Sequence, residues 1–242
     1  MSIPTNITDF LELPVFVVNL SIAINRFHTV APRIRQAGFK NIYRYDGIYG
    51  ADENQRYRAY EILGNPRISP KDQWFHHVVG RQGCLLSHLL LWKHMIDHSI
   101  SCVVVLEDDI VFHQQWDTLI EEYIREIPNE TEIAYMGSQL LGSTGKKVDK
   151  IECLCTHAYV VTLAGAKTLY NGLLYHPEGL FTLDEMIRTY MKADLLKWVA
   201  FDARFPETID EKINEMPEGF QRRNGGLIFQ DPRFPSLIQD NY

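Results

Sequence analysis

The run Cys102-Val103-Val104-Val105-Leu106 constrains this chain more than any other stretch, because it is apolar at every position and has no helical period. Valine-rich runs of this length form strands buried on both faces, so the sheet needs a covering layer on each side. Three carboxylates, Glu107, Asp108 and Asp109, end the run. Acids at the carboxyl end of such a strand stand where open α/β sheets hold their ligands. Hard divalent cations take one or two such carboxylates together with substrate phosphates. A solvated acidic turn is the alternative. Three adjacent acids repel one another, and a bound cation relieves that repulsion.

The remaining segments supply the covering layers. Residues 15–20 read as a first buried strand, and 24–36 as a helix stopped by Gly38. A short strand at 41–45 closes on Asp46-Gly47, a turn signal. The polar stretch 51–72, with Gly64, Pro66 and Pro70, is expected to be a lid or an irregular excursion. Residues 83–97 carry Leu85, Leu86, Leu89, Leu90, Trp92 and Ile96 at helical spacing. Helices at 116–126, 164–174 and 183–194 and strands at 132–136, 157–162 and 197–201 complete the pattern. Strands alternating with helices predict an α/β protein with a mixed, mostly parallel sheet and helices on both faces. A single domain over 1–242 is expected, with its core at about 15–205 and the tail 206–242 packed over the ligand face.

Charge and cysteine usage narrow the function. Lys and Arg number 24 against 31 Asp and Glu, and the net charge of −7 argues against a general nucleic-acid binder while leaving room for a local basic pocket for a phosphorylated ligand. The first thirteen residues show no signal-peptide pattern, and no run reaches the length of a membrane span. Cys84, Cys102, Cys153 and Cys155 form neither a zinc spacing nor a disulfide framework. Cys84 and Cys102 read as buried thiols. A reducing, cytoplasmic location is expected, with peripheral membrane contact left open.

Several motifs have competing readings. Residues 137–144 have the glycine spacing of a phosphate-binding loop, but Ser143 stands where its lysine belongs, and Lys146 and Lys147 come too late. That segment reads as a flexible loop. No Gly-x-Gly-x-x-Gly follows a strand and no Gly-x-Ser-x-Gly is present, which leaves nicotinamide chemistry and serine hydrolysis unsupported. His94 and His98, four apart without a third ligand, read as a surface pair. His88 lies in Gly83-Cys84-Leu85-Leu86-Ser87-His88 at the expected helix start, where free N–H groups suit a diphosphate. A buried, hydrogen-bonded histidine is the alternative. Asp184-Glu185 follow Thr182 at another helix start, as dipole partners or as functional acids.

Taken in order, these segments resemble glycosyltransferase family 25, the lipooligosaccharide and collagen galactosyltransferases. The resemblance runs from about residue 15 to about residue 190. It rests on residues 15–20 with Arg26, Tyr45-Asp46-Gly47, residues 83–88 with Trp92, and residues 104–110. His157-Ala158-Tyr159-Val160-Val161-Thr162 with Gly165-Ala166-Lys167, and Asp184-Glu185, complete it. The Ser87-His88 pair some twenty residues before Glu107-Asp108-Asp109 is the most specific combination.

The resemblance implies a GT-A-like, Rossmann-type fold, a nucleotide-sugar donor such as UDP-galactose, and Mn2+ or Mg2+. It implies inverting transfer to a hydroxyl of a glycan, lipid-linked glycan or protein acceptor. Asp109, Asp108 and Glu107 take the metal role. Asn19, Arg26, Asp46, Ser87 and His88, with Glu107 and Asp108, take the donor-binding role. Asp184 or Glu185 takes the acceptor proton. The rival readings are a metal-dependent phosphohydrolase and an inactive carbohydrate-binding relative.

Overall fold

The computed structural model describes residues 2–71, 73–203, 224–231 and 234. The N-terminal half runs α1 (Ile7–Leu11), β1 (Pro14–Asn19), α2 (Ile24–Gln36), β2 (Asn41–Asp46), α3 (Glu53–Ile62) and α4 (Gln73–His77). It continues through α5 (Val79–Asp97), β3 (Cys102–Glu107), β4 (Ile110–Phe112) and α6 (Trp116–Arg125). Next come β5 (Ile133–Leu140), β6 (Val148–Asp149), β7 (Cys153–Thr162), α7 (Leu163–Leu174), α8 (Leu183–Lys192) and β8 (Trp198–Phe201). Two short strands, β9 (Asn224–Gly226) and β10 (Ile228–Gln230), follow.

The main sheet has the order β2-β1-β3-β7-β5-β8-β6, with β9 also paired to β5. It is mixed, and its parallel share is smaller than the alternation of elements implies. β2, β1 and β3 run parallel, as do β5 and β8. β7 is antiparallel to both β3 and β5, because the chain crosses back between them. β3 is buried on both faces: Val103 and Val105 join the core under α5, α7 and α8, while Cys102, Val104 and Leu106 join the core under α1, α2 and α6. Helices on both faces are the direct consequence of that double burial.

Three expectations are corrected. The stretch 51–72 contains a regular helix, α3, capped by Asp52, whose side chain accepts from Gln55 N. α5 begins a full turn before Gly83, so the Gly83–His88 motif lies inside a buried helix rather than at its exposed start. Residues Gly137–Leu140 continue β5 instead of forming a loop. A Cβ at Gly137 would meet the Ile228 carbonyl oxygen at 2.0 Å, so this glycine serves close strand packing.

Within the expected tail, β10 pairs antiparallel with β4, immediately after the acidic turn. The rest of 206–242, apart from residues 224–231 and 234, lies outside the described residues.

Candidate functional site

The parallel register of β1 and β3 sets Val18 beside Glu107, so each strand's next residue, Asn19 and Asp108, also meet. Asn19 Nδ2 donates to Asp108 Oδ2 at 2.6 Å and to the Ala23 carbonyl at 2.9 Å. Its Oδ1 accepts from Arg44 at 3.2 Å. Arg26, from the first turn of α2, reaches Asp108 Oδ1 at 3.5 Å. Asp109 is almost fully buried, and its Oδ1 has no hydrogen-bond partner. The Asp109 carbonyl accepts from Asp231 N at 2.5 Å, and the buried Asp231 carboxylate pairs with Arg33 at 2.9 Å.

Burial governs the electrostatics of the triplet. Glu107 is pushed up to about 8 by desolvation, then by the charges of Asp109 and Asp108; Thr156, donating at 3.3 Å, opposes this. Asp109 is pushed up to about 7 by desolvation and by Asp108, against the pull of Arg26. Asp108 is raised less far, because Asn19 and Arg26 favour its ionised form against desolvation. Carboxylates whose ionisation is opposed by burial, one with an orphaned oxygen, are a donor set in want of positive charge. The residues therefore fit a divalent cation, with Asp109, Asp108 and Glu107 as its oxygen ligands.

These acids line a cleft that opens to solvent. The same cleft is lined by the loop residues Ile48–Ala51 and the α5 residues Gly80, Cys84, Ser87 and His88. Loop and helix approach closely because both carry glycine at the contact. A Cβ on Gly83 would lie 2.5 Å from the Ile48 carbonyl oxygen, and one on Gly50 would lie 2.0 Å from the Val79 carbonyl oxygen. Ser87 Oγ accepts from Ile48 N at 2.8 Å and donates to the Gly83 carbonyl at 2.6 Å. His88 is buried, and its Nδ1 is 2.7 Å from the Tyr159 hydroxyl, which also accepts from Trp92 Nε1 at 3.2 Å. Desolvation lowers His88 to about 4, which keeps the ring neutral.

Arg26, Ser87, His88, Glu107, Asp108 and Asp109 thus converge on one cleft. Asn19 stands behind it, 1% exposed, and touches Asp108 rather than the cavity. Asp46 lies away from the cleft, with a side chain 72% exposed and paired to Arg44. Asp184 and Glu185 do not line the cleft either. They differ from each other. The half-buried Asp184 accepts from Cys155 N at 3.3 Å and is close enough for its charge to raise Glu107. Glu185 is exposed and pairs with Arg188 at 3.2 Å. His94 and His98 lie 4.2 Å apart between ring centroids, tilted by 41°, with His98 exposed and His94 half-buried against Phe16 and Tyr45.

Cys84 is a cleft residue with ligand chemistry to which sequence reasoning gave no site role. Its one-turn spacing from His88 was the available signal, since residues i and i+4 share a helix face. Asp52 and Gln55, an acid-x-x-amide capping pair, were the overlooked signal for α3.

The chain belongs to glycosyltransferase family 25: the family model described as glycosyltransferase family 25 (LPS biosynthesis protein) matches residues 12–187. Among relatives, the probable inactive glycosyltransferase 25 family member 3 of Bos taurus is 30% identical over 103 residues, 37% of this chain and 17% of that protein. Procollagen galactosyltransferase 2 of Homo sapiens is 28% identical over 121 residues, 45% of this chain and 19% of that protein. The match thus spans less than a fifth of either mammalian relative. A solved glycosyltransferase involved in the glycosylation of the major capsid of PBCV-1 is similar at 9% identity and a TM-score of 0.49, over 94% of this chain and 96% of that one. No helix among the described residues is long and apolar enough to cross a membrane.

Proposed function

We propose that this protein is a GT-A-type, metal-dependent, inverting glycosyltransferase that moves a hexose, galactose by the family's pattern, from a UDP-sugar to an acceptor hydroxyl. The single observation that carries this reading is the orphaned, buried Asp109 Oδ1 in the acidic corner of a cleft that Arg26, Ser87 and His88 also line. Asp109, with Asp108 and Glu107, holds the cation, Mn2+ or Mg2+. When bound, the cation supplies positive charge where the departing diphosphate gains negative charge. Arg26 adds a second cationic group on the same side. Asn19 locks Asp108 in orientation, a positioning role in place of the donor contact expected for it. Ser87 fixes the Ile48–Ala51 loop, which shapes the wall against which the donor lies.

Inverting transfer needs one base that takes the acceptor hydroxyl proton while the sugar is held in line for attack. Asp184 is the better candidate, because its charge is felt at Glu107 whereas Glu185 is committed to Arg188 on the surface. Acceptors of the glycan, lipid-linked glycan or protein class all present the required hydroxyl. A cytoplasmic site of action fits free thiols at all four cysteines.

Calorimetric titration of UDP with manganese and with a chelator tests the reading, followed by a donor screen scored by free UDP. Tight UDP binding only with manganese, and UDP release from UDP-galactose that rises with acceptor, are expected. UDP binding indifferent to manganese would overturn it. Acceptor-independent release would favour a phosphohydrolase, and glycan binding without turnover an inactive relative.

A further inference from the structure

Cys84 and His88, a thiol and an imidazole that a hard-cation site has no use for, form a cluster with Glu107. Their ligating atoms all lie within 4.8 Å of one another. Cys84 and His88 are one turn apart on α5, so both face the end of β3 where Glu107 stands. Tyr159 engages His88 Nδ1 at 2.7 Å, which leaves Nε2 as the nitrogen available to an ion. All three residues also line the cleft, so an ion held by them keeps a fourth position open to it.

A thiol, an imidazole and a carboxylate are the ligand types of zinc, which takes them tetrahedrally. Bond lengths of the usual size put such ligand atoms about 3.5 Å apart, so closure on the order of an ångström completes the site. Thiolate ligation selects against manganese and magnesium, which favour oxygen. Histidine ligands commonly lean on a second hydrogen bond through their other ring nitrogen, and Tyr159, itself held by Trp92, stands in that place.

The geometry points to a second cation site in this protein, formed by Cys84, His88 and Glu107, that takes a thiophilic divalent ion of the zinc class. It goes beyond the transferase reading and does not depend on it. Glu107 belongs both to this cluster and to the acidic corner, so zinc here withdraws a carboxylate from the hard-cation set.

The test is binding of zinc and cobalt to the full chain, with no sugar or nucleotide present. Cobalt should give a thiolate-to-metal charge-transfer band at one equivalent. The band should persist in Cys155→Ser and vanish in Cys84→Ser, whose far-ultraviolet circular dichroism stays native. Zinc affinity, read by competition with a chromophoric chelator, should fall at least about tenfold in Cys84→Ser. Zinc should also protect Cys84 of the unaltered protein from alkylation, mapped by mass spectrometry, a readout that needs no variant. Absence of the band in the unaltered protein, its survival in Cys84→Ser, or alkylation of Cys84 unaffected by zinc would overturn the proposal.

Discussion

Asn19 and Asp108 share a 2.6 Å hydrogen bond across the parallel β1–β3 pair, and that contact fixes the orientation of the acidic corner. The Asn19 amide has three partners at once: Asp108, the Ala23 carbonyl and Arg44. Truncation to alanine removes a bond to a charged acceptor and leaves a buried carboxylate short of donors. Asn19→Ala is expected to cost about 1–3 kcal/mol, read by denaturant unfolding. Asn19→Asp is expected to be worse, since it sets one carboxylate against another. A melt unchanged by both would refute the positioning role.

Asp109→Asn should abolish sugar transfer and weaken manganese binding while the fold survives. The amide is nearly isosteric and relieves the burial of a charge, so thermal stability without metal is expected to hold or rise. Near-normal turnover with manganese would remove Asp109 from the cation site.

Cation affinity should climb with pH. Glu107 and Asp109 sit at about 8 and about 7, raised by burial from 4.5 and 3.8, so protons compete with the cation until the pH passes those values. The sign for the metal-free protein is opposite. Groups raised in the folded state stabilise it at low pH, and that contribution is lost as pH rises from about 4 through 8. Manganese should therefore raise the melting temperature more at about pH 8.5, above both shifted values, than at about pH 6, below them. A manganese shift independent of pH would contradict it.

Gly83→Ala pits two effects against each other. Alanine gains about 1 kcal/mol of helix propensity, but its Cβ would stand 2.5 Å from the Ile48 carbonyl oxygen. Overpacking against backbone costs about 1–3 kcal/mol, so the variant is expected to be less stable and to bind UDP more weakly as the loop is pushed off α5. Unfolding curves and UDP titration check the two consequences separately.

Asp184→Asn and Glu185→Gln separate the two candidate bases. The first is expected to lower kcat at least about a hundredfold, with UDP binding retained; the second should change neither by more than a small factor. The reverse pattern would transfer the role to Glu185.

The legible parts of the fold are those where burial writes directly into composition. The apolar run of β3 and the leucine stripe of α5 announced themselves, because a strand or helix enclosed on all sides must be apolar throughout. α3 was illegible to hydrophobicity because Ala59 is its one buried residue, and only the Asp52–Gln55 cap marked it. The antiparallel placement of β7 left no local trace, since the alternation of strand and helix reads alike for a crossover in either direction.

For the site, sequence by itself determined the acidic triplet, the Ser87-His88 pair and the family. These are local patterns, set by which residues follow one another along a strand or a helix. Only the tertiary structure decided that Asn19 supports Asp108, that the Asp46 side chain is exposed and paired to Arg44, that Asp184 is half-buried against Cys155 while Glu185 pairs with Arg188, and that Cys84 joins His88 and Glu107. Each of those depends on strand register, helix phase and the close approach of backbone at Gly50 and Gly83. Such contacts join residues far apart in the chain, and their free energy is settled only when the sheet and its helices pack.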